Sequence, residues 1–345
     1  MVEIGFAFTI GSNIDEPMRQ DFAVTMEEMG YNSMWIPGFI SREIHGYDML
    51  DIISALAVRT KRIKLGTIVL QVPLYHPVDL ARRIVTVDHL SNGRFIFGVG
   101  VGGHPTEFEH MGVPYESRGR RTDEILEIMR RLWTEEEVTF KGEFYNLKGV
   151  VQKPKSIQKP HPKIIVGGGF HGSAARFAPD AGLSGGFASR WLKRAARWDG
   201  WLPGGPLTLS EQDAQTLKEG MKQIKAVAQA NGRTIKDEDY DLTVACFGLF
   251  NINDDMNQVR REVSDWYNAR VARGYHQVQG NPSLEGLEKS GGFGSPEVVA
   301  KVLNRWLRLM NDVPAAKRIA ILFASLNPLQ QLEKFNTQVK PLLEL

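Results

Sequence analysis

At 345 residues the chain is long enough for about two domains of roughly 150 residues or for one large α/β barrel, and 42% apolar with 24% charged residues provides a packed core with no signature of disorder. Lys and Arg number 42 and Asp and Glu 40, a net charge of +2 that is too even for a phosphate-backbone footprint, so nucleic acid is not an expected partner. A single cysteine, Cys246, excludes an intrachain disulfide and a cysteine metal cluster, and no apolar run approaches the roughly 20 residues that span a bilayer. The opening Met1-Val-Glu-Ile-Gly is not a basic and then apolar leader, and a cytoplasmic location is the expectation.

Short β-branched runs alternate with amphipathic stretches from the start, the rhythm of βα units around a parallel sheet. Glu3 to Thr9 reads as a strand, and Pro17 to Met29 as a helix with Phe22, Met26 and Met29 on one face, closed by Gly30. Ser33 to Ile36 is the second strand, Asp48 to Val58 a helix, Ile63 to Leu70 the third strand, and Val78 to Leu90 a helix stopped by Ser91-Asn92-Gly93. Arg94 to Val99 is the fourth strand; the fourth helix carries Ile125, Leu126, Ile128, Met129, Leu132 and Trp133 on one buried stripe. Val138 to Leu147 predicts a hairpin turning at Lys141-Gly142, and Lys153 to Pro162 a Lys/Pro linker. Lys163 to Val166, Asp199 to Leu202, Leu242 to Phe250 and Arg318 to Phe323 supply four more strands. Helices follow at Ser210 to Ala230, Gln258 to Arg273, after Ser295-Pro296-Glu297, and at Pro328 to Leu343. Tyr275 to Gly294 has no periodicity and reads as a long surface loop or lid.

Eight strand-like runs, each followed by a helix, predict one eight-stranded (β/α) TIM barrel over residues 1–345, with insertions near 138–162, 170–190 and 275–294. A doubly wound fold would want Gly-x-Gly-x-x-Gly after the first strand, where Thr9-Ile10-Gly11-Ser12-Asn13 offers one glycine.

Residues 63–110 hold, in order, Leu65-Gly66-Thr67, His76-Pro77, Asp88-His89-Leu90-Ser91 and Gly93-Arg94-Phe95 leading to Gly98-Val99-Gly100. With GVPYESRGRRTDEILEIMRRLW at 112–133, the GEFYNL hairpin, PHPKIIVGGG, RAARWDGWLP and GSPEVV, the chain resembles the bacterial luciferase-like family of flavin- or deazaflavin-dependent oxidoreductases. The match is thin over 171–190 and 205–292. The resemblance implies a βα barrel with the cofactor at the C-terminal strand ends, and a non-prolyl cis peptide under the isoalloxazine ring at Ile68-Val69. It also sets Val101 and Gly102, before Gly103, beside the cofactor's polar side, and it implies a dimer through early helices, the third and fourth being the plausible ones here.

Ile164 to Gly169 is the phosphate candidate, because glycines between a strand and a helix expose N–H groups to an anion at the positive end of the helix dipole. It coincides with the family's phosphate loop, which implies roles for Gly167, Gly168, Gly169, Gly172 and Ser173. Two successive segments, GGGFHGSAARFAPDAG and SGGFASRWLKRAARWDG, can each supply the helix after the glycines; if the second does, 170–190 is an insertion and Gly172 and Ser173 lose their role.

The second strand ends in Trp35-Ile36-Pro37-Gly38-Phe39-Ile40 with no titratable group, and Gly103 stands where one deazaflavin-dependent sugar-phosphate branch keeps a glutamate. That branch's substrate is therefore not carried over. His45 and His104 are the candidate acid–base residues, against the blander reading of each as a surface or structural histidine, and no His/Asp/Glu set has metal-ligand spacing. Trp35, Ile36, Phe39 and Leu70 are expected to form an apolar enclosure, and Phe39, Trp191, Trp198, Tyr275 and His276 to line a substrate cavity or simply to cover the barrel mouth. The expected activity is FMN-dependent monooxygenation of a small organic substrate, with reduced flavin from a separate flavin reductase. The alternatives are hydride transfer with the deazaflavin coenzyme F420 and non-catalytic flavin binding.

Overall fold

Largely apolar runs of three to eight residues, and one of twelve, become the eight parallel staves of a closed barrel. The computed structural model describes residues 1–7, 16–41, 47–169, 187–203, 209–270 and 292–344. Its staves are β1 (Glu3–Ala7), β2 (Ser33–Ile36), β3 (Lys64–Thr67), β5 (Phe95–Gly100), β8 (Lys163–Gly167), β9 (Gly200–Leu202), β10 (Asp241–Ile252) and β12 (Ala316–Phe323). Each pairs in parallel with the next, and β12 pairs with β1 to close the ring. All eight expected strands are present. Two short additions lie at the rim: β4 (Leu70–Gln71) pairs with β5 after a break in β3, and β11 (Phe293–Gly294) pairs with β10.

The helices pack outside and, apart from the short α4, which the sequence reading did not anticipate, lie where the sequence marks them: α1 (Glu16–Glu28), α2 (Met49–Arg59), α3 (Pro77–Leu90), α4 (Pro105–His110), α5 (Arg118–Thr134) and α6 (Ser189–Arg197). They continue with α7 (Glu211–Ala230), α8 (Met256–Arg270), α9 (Pro296–Asn311) and α10 (Pro328–Lys334). Asp48 caps α2 by accepting from the N–H groups of Leu50 and Asp51, and Ser210 with Asp213 forms a capping box on α7. The closing helix is shorter than its periodicity suggests, passing into a π turn over Phe335–Val339. The expected hairpin is β6 (Val138–Lys141) with β7 (Asn146–Val150), and Glu124 of α5 accepts from the N–H groups of Glu143, Phe144 and Tyr145 at its turn.

Alternation along the staves separates two cores. Met34, Ile36, Leu65, Phe97, Ile164 and Ile321 face outward under the helices, whereas Ala7, Trp35, Ile68, Ile96, Ile165, Leu202 and Leu322 fill the barrel. The N-terminal end of the barrel is polar. There Arg318 Nη1 donates to both oxygens of Asp241, at 2.9 and 2.8 Å, and Lys163 Nζ lies 3.6 Å from Asp241. Burial works against the Asp241 carboxylate, but Arg318 and Lys163 outweigh it and hold the pKa below its ordinary value. No described helix is long and apolar enough to cross a membrane.

Candidate active site at the C-terminal mouth

In barrels of this kind ligands sit at the C-terminal ends of the strands, and here that end is built largely of glycine. The Ile68–Val69 peptide bond is cis, at the position the resemblance indicates. Pairing of Leu65 with Phe95 and then of Leu70 with Val99 shows the extra residue that β3 gains at this bend. Ile68 faces the interior, while half-buried Val69 lies over β5 and β8. A Cβ on Gly100 would lie 2.4 Å from Val69 Cγ2, one on Gly167 2.8 Å from Val69 Cγ1, and one on Gly98 1.9 Å from the Thr67 carbonyl oxygen. Glycine is therefore required on both neighbouring strands for the bend to seat.

Beyond β5, Val101 is half-buried and Gly102 has φ +77°, so the chain turns sharply without a side chain. Phe108 packs beneath Gly102, and Tyr115 Oη donates to the Gly103 carbonyl at 3.3 Å. Beyond β8, Gly168 and Gly169 have φ of +98° and +127°. Their strand end is fastened from below: Trp191 Nε1 donates to the Gly167 carbonyl at 3.2 Å and Trp201 Nε1 to the Gly168 carbonyl at 2.7 Å. The Gly168 N–H donates to the Leu202 carbonyl at 3.1 Å. Gly168 consequently offers an anion close approach and no amide hydrogen, a narrower role than the sequence suggests.

The second of the two Gly-Gly, Ala-Arg segments supplies α6. Gly172, Ser173 and His45 lie outside the described residues, as do Tyr275 and His276. His104 is half-buried at the N-cap of α4, and its side chain makes no cap hydrogen bond.

The apolar enclosure is differently made than expected. Trp35 is buried inside the barrel, its Nε1 donating to Ser33 Oγ at 3.1 Å, so it fills the shaft and does not wall the mouth. Ile36 and Leu70 point outward into the helix-facing core, because in a strand alternate residues must face opposite ways. Phe39 is half-buried in the loop after β2. Trp191 is buried beneath the glycine loop with Phe187 and Trp201, and Trp198 sits just before β9 against His161, at the opposite end of the barrel.

Two polar residues at the mouth escaped the sequence reading. Glu107 of α4 is 1% exposed; its Oε1 accepts from the Ile40 N–H at 2.9 Å and its Oε2 from Gln71 Nε2 at 3.1 Å. Ser41 Oγ and His110 Nδ1, 2.8 Å apart, tie the same loop to α4 again. Gln71 ends β4, is 7% exposed, and its Oε1 accepts no hydrogen bond. An unmet buried acceptor costs about 1–3 kcal/mol. The signal for Glu107 was weak because a glutamate in a helix's first turn normally reads as a solvated partner of the helix dipole.

A flat heterocycle with a phosphate tail fits these residues: side-chain-free backbone at Gly102–Gly103 and Gly168–Gly169, open space around Gly103, and an orphaned acceptor on Gln71. No group of three His, Cys, Asp or Glu converges as metal ligands among the described residues.

Comparison with known proteins agrees with the geometry. The sequence profile of the luciferase-like monooxygenase family matches residues 17–184, and the chain belongs to that family. An uncharacterized protein of Mycobacterium tuberculosis is 32% identical over 232 residues, 61% of this chain and 72% of the relative. An F420-dependent glucose-6-phosphate dehydrogenase of Kineococcus radiotolerans is 37% identical over 159 residues, 43% of this chain and 46% of that one. An FMNH2-dependent dimethylsulfone monooxygenase of Pseudomonas putida is 28% identical over 193 residues, 55% and 47% of the two chains. Among solved structures, the monooxygenase RslO1 of Streptomyces bottropensis covers 99% of both chains with a TM-score of 0.73 at 21% identity.

Proposed function

We propose that the protein is an oxidoreductase that takes reduced FMN at the C-terminal mouth and uses dioxygen to oxygenate a small organic substrate. The observation that carries this reading is the meeting of two glycine-ended strands, β5 and β8, around Val69. When bound, reduced flavin supplies two electrons to dioxygen, one oxygen atom passing to the substrate and the other leaving as water. The protein's share is placement and exclusion. Gly102, Gly103, Gly168 and Gly169 let the cofactor lie against backbone, Ile68 and Val69 support its ring, and Val101 and Gly167 hold the ends of that wall. Trp35, Ile96 and Ile165 close the shaft below and keep water out. Because the second segment supplies α6, Gly172 and Ser173 are not assigned to the phosphate loop in this reading, and His45 and His104 are the proton-handling residues. The whole chain forms one barrel domain, works in the cytoplasm, pairs as a homodimer, and receives its flavin from a separate reductase.

The relatives include users of both cofactors. FMN is favoured because Pro37 to Ile40 after β2 and Gly103 after β5 carry none of the acidic and histidine residues of the deazaflavin-dependent sugar-phosphate branch. The test is titration with FMN and with F420, oxidised and reduced, followed by absorbance and fluorescence. Selective binding of reduced FMN with substrate-dependent oxygen uptake is expected. Tight F420 binding without FMN binding would overturn the cofactor assignment, and binding without turnover would overturn the enzymatic one.

A further inference from the structure

We propose that the substrate occupies the cavity between α8 and β11, and that it is an uncharged, mainly apolar molecule. The inference rests on the oxygenase reading above and supplies its substrate class.

Helix α8 differs from its neighbours in what it covers. The apolar stripes of α1, α2, α3, α5, α6, α7, α9 and α10 pack into the outer core, whereas Val259, Val263 and Trp266 of α8 join the inner cluster with Leu249, Leu322 and Phe293. Spacings of four and three residues put those three side chains on one face of the helix. That face belongs to the barrel mouth, because the cluster it joins runs on to Ile68 at the cis bend. Glu262 fixes the helix there: its Oε2 accepts from Asn251 Nδ2 at 2.9 Å and from Gln331 Nε2 at 3.4 Å, and both donor residues are fully buried.

Between α8 and β11 lies a cavity of about 390 Å³, within the range of small-molecule sites, with Val259, Val263, Ser264 and Phe293 in its wall. Arg260, Arg261 and Asp265 also border it, but they are exposed and of both signs, and Arg261 stands 4.0 Å from Asp255. Water and salt screen such groups, so they offer a ligand little net charge. The buried charges of the barrel, Arg318, Asp241 and Lys163, are at its other end, beyond Trp35. A charged substrate would therefore lose its hydration against Val259, Val263 and Phe293 and gain no counter-charge. An apolar one gains with each methylene it buries.

The test titrates flavin-free protein calorimetrically with 4-methyl-, 4-ethyl- and 4-propylcyclohexanone, and with 3-(4-oxocyclohexyl)propanoate, in which a carboxylate replaces the terminal methyl of the propyl group. Wild type is expected to bind the ketones with affinity rising about fourfold per methylene, and the carboxylate at least tenfold more weakly than the propyl ketone. Ser264→Phe fills the cavity from its half-buried edge and should weaken the propyl ketone at least tenfold without changing FMN affinity. Val263→Ala, which enlarges the cavity, should flatten the rise with chain length should the phenylalanine variant lose the wild-type circular dichroism. Tighter binding of the carboxylate overturns the substrate class, and ketone affinities that neither variant alters overturn the site. FMN binding by a wild type that takes none of the ketones overturns this inference alone. Ketone binding by a wild type that takes no FMN instead overturns the oxygenase reading.

Discussion

Trp35 on β2 and Gly66 on β3 are register partners, and the indole occupies the volume that a side chain at 66 would need. A Cβ on Gly66 would lie 2.3 Å from both Cε3 and Cζ3 of Trp35. On the other side, a Cβ on Gly5 of β1 would lie 2.2 Å from Ser33 Oγ, the acceptor that holds the indole N–H. One large inward residue between two glycines fills the shaft beneath the mouth.

Gly66→Ala should therefore destabilise the protein by about 1–3 kcal/mol through overpacking. Urea unfolding would measure it, and Trp35→Phe in the same chain should recover part of the loss. A Gly66→Ala variant as stable as wild type would mean that Trp35 does not fill the shaft.

Register also explains what was legible. The eight strands and most helices follow from local periodicity, so their positions agree closely with the structure. Facing does not. Ser33-Met34-Trp35-Ile36 is apolar at three successive positions, and nothing within it says whether Met34 or Trp35 turns inward. Gly5 and Gly66 carry that information, on neighbouring strands. The glycine loops could be found because glycine's function there is local, whereas the Gln71–Glu107–Ile40 connection joins three βα units and leaves no short-range trace.

At the opposite end, Asp241 is buried with Arg318 and beside Lys163. Asp241→Asn should cost about 3 kcal/mol, the low end for a broken buried pair, since it removes the carboxylate that takes both Arg318 hydrogen bonds and leaves the guanidinium to the half-exposed Glu3, 3.3 Å from Arg318 Nε. FMN affinity of the folded fraction should not change, because this pair is a barrel length from the mouth. Loss of FMN binding in a variant that remains folded would contradict that separation.

Glu27 predicts a pH dependence. Its carboxylate accepts from the N–H groups of Lys61, Arg62 and Ile63. Burial raises its pKa, but these three bonds and the Arg62 charge outweigh burial and leave it below the ordinary value. A folded pKa below the unfolded one gives stability that is complete above the unfolded value of about 4.3 and is lost as pH falls through the folded value. Glu27→Gln should cost about 1–3 kcal/mol at pH 7. The gap between variant and wild type in denaturant midpoints should narrow across that acidic window; a constant gap from pH 7 to pH 3 would show that the charge is not involved.

Gly168 gives the sharpest test of the phosphate loop, provided that backbone strain is separated from charge. Its φ of +98° strains any side chain, although the nearest atoms to an added Cβ are those of Trp191 at 3.6 Å, so there is room for one. Gly168→Ala and Gly168→Asn should therefore lower FMN affinity and stability by similar modest amounts. Gly168→Asp matches asparagine in size and adds a negative charge, which at about 4 Å from a phosphate is worth roughly 1–4 kcal/mol for effective dielectric constants between water and a protein surface. The aspartate variant should thus bind FMN about fivefold to nearly a thousandfold more weakly than the asparagine variant. The difference should shrink with added salt and vanish for riboflavin, which has the same ring and no phosphate. Equal FMN affinities for Gly168→Asp and Gly168→Asn would remove the phosphate from this loop, while an equal aspartate penalty for FMN and riboflavin would place the ring there in its stead.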